Sequence, residues 1–61
     1  MNDLEVLWKL KSLALSSEYM LVNFIDSNND SVVKKELNIN VRQLAQLKVR
    51  ANIFKRECRN G

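Results

Sequence analysis

At 61 residues, with one cysteine, one terminal glycine, no proline and no histidine, the chain is at most one small domain (residues 1–61), without an internal disulfide, a His/Cys metal centre or the turn chemistry of a hairpin-rich sheet. The composition predicts an all-α fold, and a chain of this size buries only about 60% of its unfolded surface, so association with a second copy or a partner is expected. The net charge of +3 is divided unevenly: residues 1–30 hold two lysines against five acids, a balance of −3, while residues 31–61 hold eight Lys/Arg against two acids, a balance of +6.

The first predicted element is a helix over about residues 3–26, capped by Asn2 or Asp3, with Glu5 and Lys9 in the favourable i, i+4 order. At about 100° per residue, Glu5, Lys9, Ser12, Ser16 and Asn23 share one polar stripe. The stripe keeps phase through Ser16 and Ser17 and so predicts one continuous rod of roughly 33 Å. Two apolar flanks border it, with Val6, Leu10, Leu13, Met20, Leu21 and Phe24 on one side and Leu4, Trp8, Leu15 and Val22 on the other. A single neighbouring helix cannot cover both, so Leu4, Trp8, Leu15 and Val22 are assigned to a homodimer interface. Asp3 and Glu5 stand where a signal peptide would be basic, and no uninterrupted apolar span of about 20 residues exists, so a cytoplasmic protein without a membrane partner is expected.

Asp26 to Ser31 is a run of turn formers and the expected loop, with Asp30 or Ser31 capping the next helix. Beyond it, Val33, Leu37, Leu44, Leu47, Ala51, Phe54 and Cys58 keep a seven-residue apolar rhythm interrupted at Asn40. Two readings share this phase. A continuous helix would pair with the first one as an antiparallel hairpin and dimerise into a four-helix bundle. Alternatively, the weak helix formers Asn38, Ile39, Asn40 and Val41 make a turn between helices over about residues 31–37 and 41–58, which explains why Ile39 falls off the seam.

In the second reading, Val33, Leu37, the triplet Asn38-Ile39-Asn40, Leu44 and Leu47 make residues 33–50 resemble the helix-turn-helix of small bacterial and phage DNA-binding proteins. Asn38 stands where such motifs use a glycine in the left-handed conformation, and Asn40 stands where the second helix is capped. Lys34 departs from the pattern, which places a small residue there. The resemblance implies that Arg42, Gln43 and Gln46 meet base edges while Lys34, Lys35, Lys48, Arg50, Lys55 and Arg56 meet phosphates. It implies double-stranded DNA and a second copy as partners; the hairpin reading implies a protein or RNA partner for an adaptor or inhibitor.

Catalysis finds no foothold in these residues. Without histidine, a Gly-rich phosphate loop or metal-ligand spacing, the means for acid–base, nucleophilic or metal chemistry are missing, and a non-enzyme without cofactors is expected.

Overall fold

Side-chain caps divide the chain into four helices, α1 (Asp3–Ala14), α2 (Glu18–Ser27), α3 (Asp30–Leu37) and α4 (Val41–Asn60). The computed structural model describes residues 3–60, with side chains as far as Cys58; no strand occurs among them, and the fold is all-α. Each internal helix start is built the same way. Ser17 Oγ accepts the Met20 N–H at 3.2 Å for α2, Asn29 Oδ1 accepts the Val32 N–H at 3.0 Å for α3, and Asn40 Oδ1 accepts the Gln43 N–H at 2.8 Å for α4. These oxygens satisfy backbone donors that have no partner within their own helix. Asn2, one candidate cap of α1, lies outside the described residues.

The expected rod over residues 3–26 is broken at Leu15 to Ser17. The Ser16 N–H turns back to Leu13 O at 3.3 Å, Ser16 takes the left-handed conformation (φ 86°), and Ser17 is extended (φ −158°, ψ 166°) to open α2. A physical reason is visible across the break, where Trp8 Nε1 donates to Glu18 Oε2 at 2.7 Å. Ten residues of straight helix would separate those side chains by about 15 Å. Folding back instead lets α2 cover α1, a gain that outweighs one unfavourable φ angle.

The expected six-residue loop over Asp26 to Ser31 shrinks to Asn28 and Asn29, because α2 continues through Ser27 and α3 begins at Asp30. Asn28 Nδ2 donates to Phe24 O at 2.9 Å, closing the end of α2, and Asn29, rather than Asp30 or Ser31, caps α3.

A second turn separates α3 from α4, so the antiparallel two-helix hairpin does not form. Asn38 is left-handed (φ 56°, ψ 51°), its N–H reaches Lys35 O at 3.3 Å, and the Ile39 N–H reaches Lys34 O at 3.0 Å. This pair of bonds is the Schellman arrangement, which satisfies the last carbonyls of α3. Ile39 then drops its side chain into the core.

All four helices contribute to that core. Trp8 from α1, Leu21, Val22 and Ile25 from α2, Val33 and Leu37 from α3, and Leu44, Leu47 and Ala51 from α4 form one buried cluster with Ile39, with Leu4, Leu7, Leu15, Phe24 and Phe54 packed against it. Cys58, which the heptad rhythm placed on the same face, is exposed. Of Leu4, Trp8, Leu15 and Val22, assigned to a dimer interface, Trp8 and Val22 are thereby used up inside one copy and Leu4 and Leu15 are half-buried at its core. Trp8 and Val22 are 2% and 8% exposed within one copy, and Leu4 and Leu15 pack against the same core. The opposite flank of α1 is the uncovered one: Val6, Leu10 and Leu13 are 40%, 58% and 70% exposed. At spacings of four and three they form one ridge along α1.

Candidate nucleic-acid interface

The turn Asn38 to Asn40 holds α3 and α4 by bonds at both of its ends. Asn40 Oδ1 takes the Gln43 N–H, and Gln43 Oε1 takes the Asn40 N–H at 2.9 Å, a reciprocal capping box. Gln43 is half-buried, and its side-chain oxygen is thereby committed to the helix start. Its expected role at base edges is reduced accordingly. The signal was present in the sequence, since an N-cap residue followed three positions later by Gln is the pattern of that box.

Leu44, Leu47 and Ala51 fix which face of α4 is inward. The opposite face carries Arg42, Ala45, Gln46, Val49, Ile53 and Arg56, all exposed. Arg42 and Gln46 thus stand side by side on the outward face.

The structure divides the six cations assigned to phosphates. Lys35 and Arg56 are exposed, Lys34 is half-buried, and none of the three has an ion pair among the described residues. Lys48 pairs with Asp30 at 2.6 Å and Lys55 with Asp26 at 2.8 Å. Both pairs are solvent-exposed, contribute about 0 to 1 kcal/mol each, and can exchange for phosphates at little cost.

Arg50 departs from the set. Its Nε donates to Glu5 Oε1 at 2.9 Å, its guanidinium lies 5.1 Å from the Trp8 ring centroid, and its side chain is only 16% exposed. One nitrogen, Nη1, is buried without a hydrogen-bond partner, with Glu57 Oε1 at 3.8 Å. This is a cation working between α1 and α4, and a phosphate could reach it only by dismantling those contacts. No local pattern announces this role, because Glu5 and Arg50 are 45 residues apart.

Arg50 also closes one side of an open groove of about 800 Å³ between α1, the start of α2 and α4. Its walls include Trp8, Leu13, Tyr19 and Phe54, and its rim carries Glu5, Lys9 and Glu18. The Tyr19 and Phe54 rings meet edge to face at 5.1 Å, and the Cys58 thiol donates to the Tyr19 hydroxyl at 3.5 Å. Where the sulfur is ionised it instead accepts from the Tyr19 hydroxyl, and that hydrogen bond, with the like charge it sets against a phenolate, raises the Tyr19 pKa from its ordinary value. The polar stripe Glu5, Lys9, Ser12 and Ser16 proves to be a wall of this groove. Ser12 is buried, its hydroxyl returned to Trp8 O at 2.6 Å.

Among the described residues no cluster of three His, Cys, Asp or Glu side chains could hold a metal ion, and no helix is long and apolar enough to cross a membrane. Compared with known protein families, curated proteins and solved structures, the chain matches none.

Proposed function

We propose that this chain is a small dimeric DNA-binding protein, a transcriptional or recombination accessory factor that lays α4 in the major groove. The observation that carries the reading is the outward face of α4, where Arg42 and Gln46 stand together just beyond a turn braced by bonds at both ends. Arginine donors match guanine O6 and N7, and a glutamine amide matches adenine N6 and N7. Lys34, Lys35, Lys48, Lys55 and Arg56 supply phosphate contacts, which fix position and most of the salt-dependent affinity.

The second copy sits on the Val6, Leu10 and Leu13 ridge of α1. The charges beside that ridge are mixed, Asp3 and Glu5 with Lys9, so like copies are not driven apart there. Two-fold pairing would present two copies of α4 to one duplex. A second reading, an adaptor that binds a protein partner, is favoured by the aromatic groove beside Tyr19 and Phe54, which lies on the core-facing side of α4 and away from Arg42 and Gln46.

Fluorescence anisotropy with random-sequence duplex DNA across a salt series separates the two. The DNA reading expects binding at about 50 mM salt that weakens steeply as salt rises, and a Lys34→Gln, Lys35→Gln variant whose log–log salt slope is shallower by about two. Absence of binding at that salt would leave the adaptor reading.

A further inference from the structure

The outward face of α4 is not uniformly polar. Between Arg42 and Arg56 it exposes Ala45 and Val49, the latter 57% accessible, beside Gln46, and Ile53 one turn further on. Positions 42, 45, 46 and 49 recur at helical spacing and share one side of the first two turns. With the Gln43 oxygen held by Asn40, these four side chains are what the start of α4 offers to an incoming surface.

Charge decides which surface fits. Arg42 and Arg56 are the exposed charges of this face, and it carries no acid among the described residues, whereas Lys48 and Lys55 lie nearer the inward side of α4, paired with Asp30 and Asp26. Two copies of α4 pressed together by this face would confront like charges, whereas duplex DNA brings phosphates to the cations and leaves the aliphatic groups against base edges. In the major groove the apolar feature at those edges is the thymine 5-methyl group, which alanine and similar small apolar side chains meet directly.

We infer that Ala45 and Val49 are specificity-determining residues that read thymine methyl groups, alongside Arg42 at guanine and Gln46 at adenine. This rests on the DNA-binding reading and adds to it a base preference: sites rich in thymine flanked by at least one guanine.

The test uses duplexes enriched by the full chain from a random-sequence pool, then resynthesised with uracil in place of thymine, which removes the methyl and keeps base pairing. The expected result is a loss of about fourfold in affinity per contacted methyl for the wild-type chain. In Val49→Ser and Ala45→Ser variants that loss should shrink or vanish, with circular dichroism confirming that these exposed positions leave the helices intact. Because uracil also alters duplex shape, a loss that persists undiminished in both variants overturns the inference, as does equal wild-type binding to thymine and uracil duplexes or a pool that yields no enriched sequence. If the chain binds no DNA at all at low salt, the DNA-binding reading itself fails, and the two failures are thereby told apart.

Discussion

Ser16 and Asn38 are the two non-glycine residues with positive φ among those described, and each stands where one helix must stop and the next begin. Asparagine visits this region at small cost; serine is less suited to it. The Ser16→Gly variant should remove conformational strain of about 1 to 2 kcal/mol while adding roughly 0.5 to 1 kcal/mol of unfolded-chain entropy. A net gain of up to about 1.5 kcal/mol raises the thermal midpoint by several degrees, readable by circular dichroism. Arg50 gives the opposite kind of residue-scale prediction. Arg50→Ala loses the ion pair with Glu5 and the packing over Trp8 and should cost about 1 to 3 kcal/mol, with Arg50→Met recovering part through its retained stem. Neither variant should alter the salt slope of DNA binding; a slope shallower by about one would show that Arg50 meets a phosphate after all.

Among the elements, α1 carries apolar side chains on two faces, Leu4 and Trp8 inward and Val6, Leu10 and Leu13 outward. Helices this short hold little stability of their own in water and depend on burial of one face. In α1 that face is Leu4 and Trp8, with Leu15 just beyond its end, tied to α2 by the Trp8 to Glu18 hydrogen bond. The remaining ridge has no cover within one copy. Leu10→Glu should therefore leave helicity and monomer stability within about 0.5 kcal/mol of the wild type, as for other exposed positions. In sedimentation equilibrium the wild type is expected as a dimer at micromolar concentration and this variant as a monomer. A wild-type chain that sediments as a monomer at about 100 μM would remove the dimer from the proposal.

For the molecule as a whole, the uneven charge has two destinations. Glu5, Asp26 and Asp30 from the acidic half pair with Arg50, Lys55 and Lys48 from the basic half, so part of the asymmetry is neutralised inside the fold, closing α1, α2 and α3 onto α4. The remainder, with Lys35, Arg42 and Arg56, stays on the surface. Neutralising Asp26 and Asp30 together (Asp26→Asn, Asp30→Asn) frees Lys55 and Lys48. Stability should fall by less than about 1 kcal/mol per pair, while DNA affinity at low salt should rise and its salt slope steepen. Unchanged binding would place Lys48 and Lys55 away from the nucleic acid.

Much of this was readable from residue order alone. The absence of proline and internal glycine and the rhythm of Val33, Leu37, Leu44, Leu47 and Ala51 determine an all-α chain and the inward face of α4, because helical periodicity depends only on spacing. The left-handed Asn38 and the capping Asn40 were legible for the same reason, since both are local hydrogen-bonding preferences of asparagine. Two things were decided only by tertiary structure. One is which flank of α1 is buried: the polar stripe runs in phase through Ser16 and Ser17, and only the Trp8 to Glu18 bond across the break, with burial of Trp8 and Val22, makes folding back more favourable than continuing. The other is the employment of each cation, because Arg50 differs from Arg42 and Arg56 by the carboxylate of Glu5 and the ring of Trp8, which sequence separation hides and packing brings within reach.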